Sequence, residues 1–228
     1  MAAQPHTGQS HAVEDYSKAI FALQARGGGQ PVTTNDLAER LGVTPASASA
    51  MVKRMDEHGL VAHVPYRGVT LTEEGRRIGL EVLRHHRLLE LFLVEHLGVP
   101  LDRVHEEAEA LEHVLSEDLE RRIATMLGNP TLDPHGDPIP SAELEVQEVP
   151  THSLDSVQAG ARGRFVRVSD SHPEMLRYLD ERGIAVGDPF ELVDRQPFDG
   201  PLTVRFARTE HVLGAPLART MRVELDGG

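Results

Sequence analysis

Four residues between positions 105 and 113 have the types and spacing to hold a cation. His105, Glu109, Glu112 and His113 stand at offsets 0, 4, 7 and 8. On a helix this keeps them within an arc of about 100°. Val104, Ala108, Leu111 and Leu115 fill the adjacent stripe, so one face is apolar and the next is ligating. Upstream, His86 and Glu90 are four apart and again share a helical face. Imidazole and carboxylate without sulfur suit Mn2+ or Fe2+ better than Cu(I) or structural zinc. Two other readings fit the same residues: a solvated acidic helix face, and a dinuclear carboxylate–histidine oxidase or hydrolase of the helical-bundle kind. His85, His96 and His135 read as surface or internally satisfied histidines.

Composition narrows the setting. None of the 228 residues is Cys, which removes disulfides, thiolate chemistry, Fe–S clusters and Cys-ligated zinc. No apolar run approaches the ~20 residues of a membrane helix, and no secretory signal opens the chain, so a cytoplasmic protein without membrane contact is expected. The net charge of −13 is unevenly spread. Residues 1–80 carry 8 basic and 8 acidic side chains, whereas residues 81–148 carry 5 and 16 together with six of the 13 histidines. Whole-chain charge therefore does not argue against a nucleic-acid partner for the neutral head.

The elements that position these residues can be read from period and punctuation. A helix is expected over 13–25, ended by Gly27, Gly28 and Gly29. Thr33 to Asp36 offers N-cap chemistry for a short helix, Gly42 closes it, and Thr44 with Pro45 starts a third over 46–58. Two short helices around Gly-Val-Thr make a helix-turn-helix. Alternating apolar residues over 60–71 flank a turn at Tyr66, Arg67 and Gly68, a small wing with arginine at its tip. A long helix to about 97, a helix over 101–115 and another from 116 to 127 follow. Residues 133–140, rich in proline, cannot be regular. Strands over 163–168, 189–193 and 202–206, with a helical turn near 174–181, suggest a small β-barrel. The expected domains are 1–73, 74–147 and 148–228.

In such a winged helix-turn-helix the second helix enters the major groove. Thr44, Ala46, Ser47, Ser49 and Ala50 would face the bases. All are small, so direct base readout is modest and shape carries more of the specificity. Lys53, Arg54 and Arg67 would contact phosphates, supported by Arg76 and Arg77.

With these residues in view, the stretch from Val104 to Ser116 closely resembles the metal-binding helix of the DtxR/MntR family of metal-dependent transcriptional repressors. Glu14-Asp15-Tyr16, His86-Arg87-Leu88 with Glu90, the wing at Tyr66-Arg67-Gly68, and Gly136-Asp137-Pro138-Ile139-Pro140 carry the same resemblance. It implies a mainly α chain with β: an N-terminal winged helix-turn-helix, a helical dimerisation and metal-binding domain, and a C-terminal SH3-like (FeoA-like) barrel. It implies a homodimer on palindromic double-stranded DNA, without enzymatic activity, that represses metal-transport genes. Two metal sites per subunit are implied: Asp15, Glu109, Glu112 and His113 in one, and His86, Glu90 and His105 in the other, helped by the C-terminal domain.

Iron-sensing members place Cys and Met where this chain has Glu109 and Asp15, which favours Mn2+ as activator with Fe2+ as the alternative. Three positions depart from the pattern. Lys18 stands where some manganese sensors have a ligand glutamate, and Ala50 replaces a glutamine of the recognition helix. Ser171 stands where others have a ligand glutamate, with His172 or Glu174 as substitutes. An ion joining Asp15 to Glu109, Glu112 and His113 would fix two heads about 34 Å apart. Without it, the clustered carboxylates are expected to repel one another and the heads to move.

Overall fold

The computed structural model describes residues 10–64, 66–147 and 149–226. Residues 1–9 of the expected first domain, Pro65 in the wing and Glu148 at the expected third boundary lie outside the described residues. The described residues fall into two compact units: those within 10–89, 109–129 and 140–146 form the first, and those within 90–108, 130–139 and 147–226 the second.

The first unit opens with α1 (His11–Arg26), α2 (Thr34–Arg40) and α3 (Pro45–Glu57). Their boundaries follow from local chemistry. Thr33 and Asp36 form a reciprocal capping box on α2, and the Thr44 side chain accepts from the Ser47 N–H to start α3, with proline at the first turn. Such caps contribute about 1 kcal/mol each. Gly42 supplies the left-handed residue between the two helices (φ 64°).

The wing is β1 (Val61–Val64) paired antiparallel with β2 (Gly68–Leu71). Val32 adds a short bridge to Val69. Gly68 is required there: its φ is 118° and a Cβ would lie 2.0 Å from the Val32 carbonyl oxygen. Ile20, Leu37, Ala48, Val52, Met55 and Val69 are fully or almost fully buried in the core behind the helix-turn-helix. Each larger apolar side chain so buried contributes roughly 1.5–3 kcal/mol.

Helix α4 (Glu73–Leu97) runs long, and α5 (Val104–Leu111) and α6 (Glu117–Met126) follow. Early in α4, Gly79 lets α1 approach: a Cβ at that position would lie 2.7 Å from the Ser17 carbonyl oxygen. Helix α5 is shorter than the 101–115 expected from its stripe. Residues 112–114 form a turn, with the Val114 N–H donating to the Leu111 carbonyl, before Ser116 caps α6 through the Leu119 N–H. The restart at Ser116 competes with continued winding, so Glu112 and His113 leave the helix just past its end.

The second unit is built on a six-stranded antiparallel sheet in the order β3-β8-β4-β5-β6-β7. Its strands are β3 (His152–Ser153), β4 (Arg162–Val168), β5 (Pro189–Arg195), β6 (Leu202–Phe206), β7 (Thr209–Leu213) and β8 (Met221–Leu225). Helices α7 (Pro173–Asp180) and α8 (Ala215–Thr220) complete it. Strands β3, β7 and β8 and helix α8 were not foreseen from the sequence. Phe165, Leu192, Leu202, Leu213, Met221 and Val223 form its core. Residues 130–139 are irregular, as the prolines dictate, and the Asp133 side chain ties them by accepting from the N–H groups of His135 and Asp137.

Candidate metal centre

Within the first unit, α1 projects Glu14, Asp15 and Lys18 toward Glu109, at the end of α5, and toward Glu112 and His113 in the turn that follows. Asp15, Glu112 and His113 each offer a ligand atom, all within 4.8 Å of one another. His113 Nε2 lies 2.9 Å from Asp15 Oδ1 and 3.4 Å from Glu112 Oε1. Its other ring nitrogen, Nδ1, is 2.6 Å from Glu14 Oε2. Glu14 thus fixes the ring and leaves Nε2 directed at the two carboxylates, an arrangement common behind metal-bound histidines. Sequence reasoning used Glu14 only as part of a family motif. Its place one residue before Asp15 gave no signal of this contact.

Glu112 is buried, at 1% exposure, and both its oxygens are engaged. Oε2 meets His86 Nδ1 at 2.6 Å, while Oε1 accepts from Lys18 Nζ at 2.6 Å. Lys18 also donates to Glu109 Oε1 at 2.6 Å. The expected mutual repulsion of the carboxylates is therefore offset by an ammonium between two of them. Burial is the largest influence on Lys18 and pulls its pKa down, but Glu112 and Glu109 outweigh it and the net shift is upward. For Asp15, burial dominates and raises the carboxyl above its ordinary value. Of the four residues expected in this site, Asp15, Glu112 and His113 form the tight group, and Glu109 is tied to it through Lys18.

The members of the second expected set fall in different units: His86 in the first, Glu90 and His105 in the second. In the second unit His105 Nδ1 lies 3.3 Å from Glu90 Oε1 and 3.3 Å from Asp170 Oδ2, making a three-residue group of ligand atoms. Asp170, just after β4, was missed from sequence. His172 and Glu174, named as substitutes, are exposed and face each other at 3.4 Å. Glu90, Asp133 and His135 make a second buried group around the same glutamate. His135 is 1% exposed, with Nδ1 3.7 Å from Glu90 Oε2. Burial pulls its pKa down, yet Glu90, Asp133 and Asp170 outweigh this and raise it to about 9. His135 is thus an internally satisfied histidine. His85 is held by Glu120, which also pairs with Arg84 at 2.6 Å.

On the helix-turn-helix, Thr44, Ala46, Ser47, Ser49 and Ala50 are all exposed, whereas Ala48 faces the core. Lys53, Arg54 and Arg67 are exposed as well, with Arg67 beside the fully exposed Tyr66 at the wing's tip. No helix of the described residues is long and apolar enough to cross a membrane.

Comparison with known proteins adds three family matches. The iron dependent repressor N-terminal DNA binding domain matches residues 10–69. The iron dependent repressor metal binding and dimerisation domain matches residues 72–141, and the FeoA domain matches residues 152–225. The iron-dependent repressor IdeR of Mycobacterium tuberculosis is 42% identical over 138 residues, covering 60% of this chain and 59% of that protein. The diphtheria toxin repressor of Corynebacterium diphtheriae is 33% identical over 221 residues, covering 92% of this chain and 96% of the other. A solved structure described as a manganese-dependent transcriptional repressor in complex with manganese superposes with a TM-score of 0.85 at 40% identity. It covers 93% of this chain and 99% of that one.

Proposed function

The chain belongs to the DtxR/IdeR family of metal-dependent transcriptional repressors, a family of DNA-binding proteins and not of enzymes, and on that premise we propose that it is a Mn2+-activated repressor of metal-transport genes. It acts in the cytoplasm, as a homodimer on a palindromic operator. The domain division proposed is 1–73 for DNA binding, 74–147 for dimerisation and metal binding, and 148–228 for the SH3-like tail. The observation that carries the reading is the convergence of Asp15, from the first helix of the DNA-binding segment, with Glu112 and His113 beyond α5. Two carboxylates and an imidazole fit a hard divalent ion. When bound, such an ion supplies positive charge that joins the two segments.

Asp15 moves with α1, which packs closely on α4 at Gly79. Glu112 and His113 are followed directly by α6. Leu111, Val114, Leu119 and Met126 are exposed apolar residues around that turn and helix, which supports a face covered by a second subunit. A second metal site per subunit is proposed on Glu90 and His105, with His86 as the sequence resemblance implies and Asp170 as its C-terminal contributor.

The test is fluorescence anisotropy with duplex DNA from promoters of metal transporters, at fixed salt. Metal-free protein is compared with Mn2+, anaerobic Fe2+, Co2+ and Zn2+. Tight binding with Mn2+ alone supports the reading. Equal response to Fe2+ favours the iron reading, which the iron-dependent relatives motivate. Metal-independent binding rejects both.

Glu14→Gln removes the negative partner of His113 Nδ1 without changing its size. Metal affinity is expected to fall by roughly 10–100-fold, the usual effect of losing such a partner. A Mn2+ titration of the variant that matches the unaltered protein would assign the Glu14–His113 pair to folding alone.

A further inference from the structure

Lys18 is the cation that the first site already contains. Its Nζ lies 2.6 Å from Glu109 Oε1 and 2.6 Å from Glu112 Oε1, with the Lys18 side chain 14% exposed and that of Glu112 fully buried. The Glu112 oxygen it holds is also the one 3.4 Å from His113 Nε2. The ammonium therefore bonds the oxygen nearest the Asp15–His113 pair. The ammonium holds the two carboxylates side by side.

We propose that Lys18 is a tethered counter-cation of this site, which keeps Glu109 and Glu112 in place before any metal arrives and limits the site to a single divalent ion. The proposal rests on the reading that Asp15, Glu112 and His113 bind a divalent cation. Charge sets the limit. Glu14, Asp15, Glu109 and Glu112 bring four carboxylates and Lys18 sets one ammonium against them, so one divalent ion leaves a single negative charge. A second would leave the cluster net positive in a partly desolvated place, where excess charge is poorly tolerated. Lys18 also lowers the affinity for the first ion, because like charge close to a bound cation opposes it through a medium less polarisable than water.

The experiment is a Mn2+ titration of the full chain, with free ion followed by its EPR signal and bound ion counted by elemental analysis after dialysis. The unaltered protein, Lys18→Gln and Lys18→Arg are compared, each in a Glu90→Gln/His105→Ala background that silences the other group. Melting temperature is read in chelator and at saturating Mn2+. One ion per chain is expected for the unaltered protein and for Lys18→Arg. Lys18→Gln should bind its first ion at least about tenfold more tightly. It should also accept a second ion, melt lower in chelator, and gain more from Mn2+.

Unchanged or weaker affinity with the same count in Lys18→Gln would reduce Lys18 to a structural strut. If Lys18→Gln does not fold, the count still decides, since two ions in the unaltered protein overturn the limit. Asp15→Asn and His113→Ala in the same background separate the underlying reading. A titration that neither variant changes would remove the metal site itself, and not only the role of Lys18.

Discussion

Replacing His113 or Asp15 by alanine is expected to hold DNA affinity at its metal-free level at any Mn2+ concentration. The two residues sit on segments of different duty. Asp15 belongs to α1, whose buried residues Tyr16 and Ile20 join the core of the helix-turn-helix. His113 belongs to the turn between α5 and α6. Their 2.9 Å contact is the meeting point of these segments, and Glu112 completes the group. An ion held by all three favours whichever arrangement brings them together. The DNA-competent state gains by that difference in affinity, typically about 1–3 kcal/mol, or roughly 5–150-fold in binding.

Either alanine removes a ligand while leaving the core untouched, because neither side chain packs in the apolar cluster. Anisotropy with and without chelator reads the effect, and circular dichroism verifies the fold. If Asp15→Ala keeps the full metal-dependent gain, the link between the two segments is wrong. Glu112 is a poorer target for this purpose. Its burial between Lys18 and His86 means that truncation strands the Lys18 ammonium and the His86 ring nitrogen, and lost stability would mask lost coupling.

The same residues explain what could be read in advance. Caps and glycines are local signals, so Thr33, Gly42, Thr44 and Gly68 announced the helix-turn-helix and wing. The ligand stripe was legible because helical spacing brings Glu109 and Glu112 to one side. It overshot because a cap at Ser116 was weighed as a new start and not as an end to α5. Lys18 was legible as an odd residue for its position, but not as a bridge, because its partners lie 91 and 94 residues away. Asp170 was missed for a related reason. Its value depends on where the chain leaves β4, and a bulge between Phe165 and Arg167 shifts that register. Strand β7 was hidden by its polar, mostly exposed residues at the edge of the sheet, which lack a buried alternation.

Affinity for the operator is expected to fall by about a thousandfold between 50 and 200 mM salt, on the rule that each neutralised phosphate contributes about 0.9 to the slope. Lys53, Arg54 and Arg67 are exposed near the recognition helix and the wing, and a homodimer presents each of them twice. Lys53 is only loosely engaged by Glu57, at 4.0 Å between two exposed side chains. Such a pair contributes little and yields readily to a phosphate.

Base edges, by contrast, are offered only small side chains from Thr44 to Ala50, so phosphate contacts must supply much of the affinity. Arg67→Ala removes two phosphate contacts per dimer and should lower the log–log salt slope by about 2. It should weaken operator and unrelated DNA alike, because a phosphate contact carries no sequence information. Metal dependence should persist, since Arg67 is far in sequence and role from the ligand group. A slope unchanged in Arg67→Ala would take the wing off the backbone. A loss confined to the operator would make Arg67 a reader of bases or groove shape, and the small recognition helix would then owe its specificity to the wing.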